Sequence, residues 1–224
     1  MATVDELTRR IEHTLLKQDA IPANIIRHCE EAKRFNFYGV CVNPWFIDLC
    51  KKKLRGTPIK VVTVIGFPLG ANTTETKAFE TTDAIKKGAD EIDMVMNVGA
   101  ARAGDWDYVE KDIKAVVEAA KGKVVKVIIE TSMLSRDQKI QATKIVKASG
   151  AQFVKTSTGF STGGATVEDV KLMRETVGHG YGIKASGGMK SKEDYERMIK
   201  AGATRLGTSS AVQALQGQAA GDIY

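Results

Sequence analysis

Gly150-Ala151-Gln152-Phe153-Val154-Lys155 joins a helix end to a strand start within six residues. A glycine can take the left-handed conformation that terminates a helix, and the apolar run after it suits a strand. The same boundary recurs at Gly88-Ala89-Asp90-Glu91-Ile92-Asp93 and at Gly202-Ala203-Thr204-Arg205-Leu206-Gly207. A chain with this repeated junction is built from β/α units. Aligned on the glycine, the copies put Asp93, Lys155 and Gly207 at one common step, towards the C-terminal ends of their strands. In a parallel barrel those ends form the catalytic face.

Working outward, short β-rich runs occupy 39–43, 60–66, 91–97, 124–130, 152–157, 181–186 and 204–208, with a weaker eighth at 10–15. Most are too apolar for a sheet with one wet face, so they are expected to be buried on both sides. Helices lie between them. Asn72-x-x-Glu75, Ser135-x-x-Gln138, Thr166-x-x-Asp169 and Ser191-x-x-Asp194 read as helix starts. Pro22 suits a first helical position, and Gly88, Gly122, Gly150 and Gly202 suit helix ends. Val109, Ile113, Val116, Val117 and Ala120 mark one buried helical face. Eight strands in 224 residues leave about 28 residues per unit, close to what a βα unit needs. The expectation is an α/β fold, a single-domain (β/α)8 TIM barrel over residues 1–224. A short helical extension precedes the barrel, and a mobile tail is expected over 216–224. An open doubly wound sheet is the alternative, but no GxGxxG follows the first strand.

Composition narrows the function. Lys and Arg number 33 against 27 Asp and Glu, for a net charge of +6. The densest basic run, Lys51-Lys52-Lys53 with Arg55, reads as a solvated helix C-terminus, so a nucleic-acid partner is not expected. A mild positive field suits a phosphorylated metabolite equally well. No apolar run is long enough for a membrane span, and no secretory signal is visible at the N-terminus. Cys29, Cys41 and Cys50 form no CxxC, and His13, His28 and His179 are scattered. That pattern suggests a reducing, cytoplasmic setting with no metal and no cofactor.

Two lysines carry the chemistry. Lys155 and Lys184 each sit inside an apolar strand of consecutive units. A lone lysine there could simply snorkel to water. Two on neighbouring strands, near an apolar core, depress each other's pKa by like charge and desolvation. A lysine neutral near pH 7 is a nucleophile for carbonyls. Asp93, in Glu91-Ile92-Asp93-Met94-Val95, reads either as a structural partner of a barrel lysine or as a proton relay beside the amines. Ser186-Gly187-Gly188 and Gly207-Thr208-Ser209-Ser210 end the last two units, where this fold commonly binds phosphate. Ordinary turn chemistry would use the same residues. Cys41 reads as a core residue.

These residues resemble the deoxyribose-phosphate aldolase family over nearly the whole chain. The resemblance runs through 40–44 (VCVNP), 63–70 (TVIGFPLG), 91–95 (EIDMV), 127–131 (VIIET), 153–160 (FVKTSTGF), 182–188 (GIKASGG) and 206–210 (LGTSS). It implies a metal-free class I aldolase that splits 2-deoxy-D-ribose 5-phosphate into glyceraldehyde 3-phosphate and acetaldehyde. By motif match it implies Lys155 as the Schiff-base lysine, Lys184 as its pKa-tuning neighbour and Asp93 as the proton relay. The expected substrate-binding positions are Thr158, Gly159, Gly187, Gly188, Gly207, Ser209 and Ser210. The expected partners are a phosphorylated sugar and aldehydes, with a second copy or more of the chain in a dimer or tetramer.

Three positions depart from the family pattern. Glu12 stands where the family usually has Asp, which leaves it outside the catalytic set. Phe160 stands where some members have Lys, so phosphate charge must be met elsewhere. Tyr224 ends the chain, where some members use a tyrosine in proton abstraction and where a disordered end is the other reading. Two other functions stay open: another phosphate-binding barrel enzyme, and a non-catalytic sugar-phosphate binding protein.

Overall fold

Eight parallel strands hydrogen-bond in sequence order and close on themselves, the first pairing with both the second and the last. A computed structural model describes residues 4–218. The strands are β1 (Ile11–Leu15), β2 (Gly39–Val42), β3 (Lys60–Ile65), β4 (Glu91–Val95), β5 (Val124–Ile128), β6 (Phe153–Lys155), β7 (Gly182–Ser186) and β8 (Arg205–Thr208). Each lies within an expected run, including the weak first one. The helices are α1 (Val4–Thr8), α2 (Pro22–Arg34), α3 (Ile47–Lys53), α4 (Thr74–Lys86), α5 (Val98–Ala103), α6 (Trp106–Ala119), α7 (Arg136–Ala148), α8 (Val167–Val177), α9 (Lys192–Ala201) and α10 (Ala211–Leu215). Helix α1 is the short extension ahead of the barrel. Of the expected mobile tail, 219–224 lie outside the described residues. No helix of the described residues is long and apolar enough to cross a membrane.

Local signals set most boundaries. Ser135, Thr166 and Ser191 each accept a hydrogen bond from the third helical amide, as their spacing requires. One start differs. Thr73, not Asn72, accepts from the Thr76 amide, because the extended conformation at Thr73 begins the helix one residue later. Gly88, Gly122, Gly150 and Gly202 all have positive φ. Val109, Ile113, Val116 and Ala120 are fully buried on one face of α6 and its C-cap.

Two separate apolar clusters result. The large one lies between the outer faces of the strands and the helices, and includes Val40, Val61, Ile92, Val125, Val154, Ile183 and Leu206. The small one, Leu16, Cys41, Val62 and Val64 with Phe67 against it, lies inside the barrel. The strands are buried on both sides, as expected. Their inner faces are not uniformly apolar, however, because alternate residues of several strands are charged.

Register defines the inner layers. Asp93 pairs with Lys126 and Lys126 with Phe153, two residues before Lys155. Lys155 pairs with Lys184 and Lys184 with Arg205, two residues before Gly207. Gly207 pairs with Glu12 and Glu12 with Gly39, two residues before Cys41. Cys41 pairs with Val62 and Val62 with Glu91, two residues before Asp93. The even strands therefore place Cys41, Asp93, Lys155 and Gly207 in one layer, as alternate strands of this fold do. The odd strands place Glu12, Val62, Lys126 and Lys184 in the layer beneath. A further layer down holds Gly39, Glu91, Phe153 and Arg205.

Outside the barrel, two histidines thought to be scattered meet. The rings of His13 and His28 stack with centroids 3.9 Å apart. His28 Nε2–H donates to the His13 carbonyl at 3.0 Å, and His13 Nε2 lies 2.8 Å from Glu31. Burial and the neighbouring His13 hold the His28 pKa well below its usual value. His28 is thus neutral when folded and takes a proton only on unfolding, so stability falls as pH drops below the unfolded value of about 6.5. His28→Leu is expected to reduce the loss of stability between neutral pH and pH 5 by about 1–2 kcal/mol. Urea unfolding of both proteins at the two pH values measures this.

Candidate active site

Lys155 is the last residue of β6, and the closed sheet carries its side chain to the barrel axis. Its Nζ lies 2.7 Å from Asp93 Oδ2. Lys184, beside it on β7, donates to the same oxygen at 2.7 Å and to the Glu12 carboxylate. Asp93 Oδ1 accepts from Lys126 Nζ at 2.9 Å. The structure thus brings together the three residues singled out from sequence. Asp93 pairs with the buried Lys126 and also touches the amines of Lys155 and Lys184.

The two lysines are not equivalent. Burial lowers the Lys155 pKa and neighbouring Lys184 lowers it further, while Asp93 only partly offsets them. Burial acts on Lys184 too, but Asp93 and Glu12 together outweigh it and hold Lys184 above its ordinary value. The mutual depression expected from the pair therefore falls on Lys155 alone. Burial by itself would raise the Asp93 carboxyl. The Lys126, Lys155 and Lys184 ammoniums reverse that and hold it well below the carboxylate range. The result is one amine that deprotonates more easily than an ordinary lysine, beside one ammonium and one carboxylate held in their charged forms, all within hydrogen-bond reach. Such a set can attack a carbonyl, protonate a departing oxygen and receive a proton.

The sequence reading left Glu12 outside the catalytic set and did not single out Lys126 or Arg205. Glu12 is fully buried; burial would raise its pKa, but Lys126 and Lys184 hold it down to about 2. Its extra methylene relative to Asp does not separate it from the site. Lys126 Nζ also contacts Glu12 at 3.3 Å and Glu91 at 2.7 Å. Arg205 Nη1 reaches Glu12 at 2.8 Å and Glu91 at 3.3 Å, with its guanidinium 3.4 Å over the Tyr38 ring. The signal that found Lys155, a cation inside an apolar strand, is equally present in Val124-Val125-Lys126-Val127-Ile128. Cys41 completes the layer as a neutral thiol, because burial pushes it up to about 11. Glu12, Cys41 and Asp93 bring ligand-type atoms within 4.8 Å of one another. Both carboxylates, however, are already engaged by ammonium groups and the thiol stays protonated, so this is a poor donor set for a metal.

The expected substrate-binding residues divide into two groups. The loops after β6, β7 and β8 adjoin, because those strands are neighbours. Gly159, Gly187 and Gly188 have positive φ, and a Cβ on Gly187 would meet the Gly159 and Gly164 Cα atoms. Ser209 is half-buried on the same rim. Thr158 and Ser210 are buried with their hydroxyls in use. Thr158 bonds the Glu130 carboxylate, and Ser210 bonds the Met189 carbonyl at 3.1 Å and the Thr208 hydroxyl at 3.1 Å. These two hydroxyls shape their loops. Gly207 is a strand residue in the Lys155 layer, and a Cβ there would lie 2.8 Å from Lys184 Cε. Its place in the barrel wall makes room for Lys184 rather than adding a loop amide. Phe160 sits on the rim, edge-on to Phe67 with centroids 5.2 Å apart. Tyr224 lies outside the described residues.

Gly207→Ala requires a displacement of the Lys184 side chain, whose ammonium is held by Glu12 and Asp93. A displacement of that kind is expected to slow borohydride trapping of a small aldehyde on Lys155 by roughly 10- to 100-fold. The adduct rate at neutral pH, with circular dichroism to verify folding, measures it.

Comparison with known proteins places the chain in a family. A profile of the DeoC/LacD family aldolases matches residues 9–221. A deoxyribose-phosphate aldolase of Clostridium perfringens (strain SM101) is 57% identical over 220 residues, 98% of each chain. One from a Geobacillus species is 56% identical over 221 residues, 98% of this chain and 99% of its own. Among solved structures, the deoxyribose phosphate aldolase of Aeropyrum pernix superposes with a TM-score of 0.90. It is 31% identical, over 96% of this chain and 92% of its own. With a matching barrel, a shared sequence over nearly its full length and a buried lysine pair on adjacent strands, the chain belongs to the DeoC/LacD family of aldolases.

Proposed function

We propose that this protein is a deoxyribose-phosphate aldolase that works through an imine on Lys155. The observation that carries the reading is the buried register pair Lys155 and Lys184 sharing one oxygen of Asp93. The neutral Lys155 amine adds to the C1 aldehyde of 2-deoxy-D-ribose 5-phosphate. The Lys184 ammonium protonates the resulting hydroxyl, and water leaves as the protonated imine forms. A base, Asp93 acting through Lys184 or a water, removes the C3 hydroxyl proton. The C2–C3 bond then breaks, its electron pair moving into the imine. Glyceraldehyde 3-phosphate departs and an enamine remains on Lys155. Protonation at C2 followed by hydrolysis releases acetaldehyde and restores the amine.

The rest of the site fits this substrate. Leu16, Cys41, Val62, Val64 and Phe67 form an apolar wall suited to the two-carbon fragment. We assign the phosphate to the glycine-rich rim of Gly159, Gly187, Gly188 and Ser209. There backbone N–H groups can approach anionic oxygens without a lysine at Phe160. Three free, buried cysteines suit a reducing cytoplasm. The whole chain acts as one domain and assembles as a dimer or tetramer. The Aeropyrum pernix relative is tetrameric, and Trp45, Leu69 and Phe79 are each more than two-thirds exposed here, as side chains awaiting a partner copy would be.

Borohydride reduction in the presence of acetaldehyde is expected to leave an ethyl group on Lys155, located by mass spectrometry of the peptides. Lys155→Ala is expected to lose the adduct and turnover of deoxyribose 5-phosphate together. An unmodified wild-type protein, or an unchanged adduct in the variant, defeats the reading. Light scattering is expected to give a mass of two or four chains; a monomer contradicts the assembly.

A further inference from the structure

The barrel interior holds more basic groups than carboxylates. Among the described residues its charged layers contain Glu12, Glu91 and Asp93 against Lys126, Lys155, Lys184 and Arg205, all buried. The contacts are shared unequally. Lys126 Nζ touches all three carboxylates, at 2.7 Å from Glu91, 2.9 Å from Asp93 and 3.3 Å from Glu12. Lys184 touches Glu12 and Asp93, and Arg205 touches Glu12 and Glu91. Lys155 touches Asp93 alone, through the oxygen that Lys184 also uses. In a site closed to water, three negative charges compensate three positive ones, and a fourth cation would stand uncompensated. The base with the fewest carboxylates is the one that gives up its proton. Arg205 keeps its charge in any case.

We propose that Lys126 is a positioning residue for the reaction. By engaging Glu12, Glu91 and Asp93 at once, it leaves Lys155 as the surplus base of the barrel and so sets it aside as the neutral nucleophile. The proposal rests on the imine reading of Lys155 and adds to it a group that never meets the substrate. Lys126 lies in the layer beneath Lys155 and is fully buried. The charged and titratable groups facing Lys155 are Asp93 from β4, Lys184 from β7 and the Cys41 thiol from β2. Behind them stand Glu12 from β1, Lys126 from β5, Arg205 from β8, and Glu91 with the Tyr38 hydroxyl bonded to it. Changing Lys126 or Glu91 alters the charge balance while leaving every direct neighbour of Lys155 in place.

The test is the pH dependence of borohydride trapping of acetaldehyde on Lys155, which rises as the amine deprotonates. Lys126→Met removes a cation, so the remaining bases match the carboxylates and Lys155 keeps its proton. The rising limb is expected to move to higher pH by about one unit or more. Glu91→Gln removes a carboxylate, and the limb is expected to move by a similar amount to lower pH. The double variant is expected to return towards wild type, and Lys126→Arg to stay there. A merely structural role would slow trapping in both single variants without moving the limb in opposite directions. An unmoved limb in Lys126→Met, or shifts of the same sign in both single variants, overturns the proposal. Should Lys126→Met not fold, Glu91→Gln decides alone: a downward shift supports the proposal, and no shift or an upward one overturns it. A wild type that forms no adduct overturns the imine reading and this proposal with it. A wild type that traps normally while the variants show no shift overturns this proposal only.

Discussion

The Asp93 carboxylate is fully buried and accepts hydrogen bonds from three lysine side chains, and much of the barrel is arranged around that fact. A lone carboxylate so far from water would be neutralised or expelled. Lys126 and Lys184 hold it ionised, and they in turn need Glu12 and Glu91. Arg205, over the Tyr38 ring and within reach of the Phe153 ring, then completes the set. The charged inner positions on β1, β4, β5, β6, β7 and β8 are one mutually dependent cluster. Gly207 belongs to it by having no side chain, since any Cβ would occupy the space of Lys184.

Two opposed effects of similar origin separate the two lysines. Burial disfavours the charged form of each. For Lys184, two carboxylates outweigh that penalty. For Lys155, one carboxylate shared with another ammonium does not. The same residue type on adjacent strands thus gives one lysine that deprotonates more easily than usual beside one that holds its proton more firmly. The interior is also lopsided. Beside the charged strands, β2 and β3 present Cys41, Val62 and Val64, so an apolar wall faces the amine. A carbonyl compound held between the two would have its reacting atom near the charges and its hydrocarbon end away from them.

Much of this was legible in the residues themselves. The helix ends at Gly88, Gly122, Gly150 and Gly202 and the starts at Ser135, Thr166 and Ser191 are set by short-range hydrogen bonding, and their spacing shows it. Lys155, Lys184 and Asp93 stood out because a charged residue in an apolar strand needs an explanation. Lys126 carried the same signal but lacked a glycine-rich loop beside it. Glu12 and Arg205 sit at the edges of their strands, where a charge usually reaches water. Only closure of the sheet brings β1 against β8 and turns those positions inward.

The alternation of strand and helix, the repeated Gly-Ala junction and the family motifs are properties of the chain alone, because they depend on neighbours a few residues apart. They determined the barrel, the family and the three residues at its centre. What the tertiary structure decided is how those residues differ. Which lysine gives up its proton more easily depends on how many carboxylates from distant strands come within about 3 Å, since electrostatic interaction in a buried site is governed by distance and desolvation. Whether Gly207 is a loop amide or a space for Lys184 likewise depends on the stagger between β7, β8 and β1. Neither quantity is written in local sequence, and both follow once eight strands share one axis.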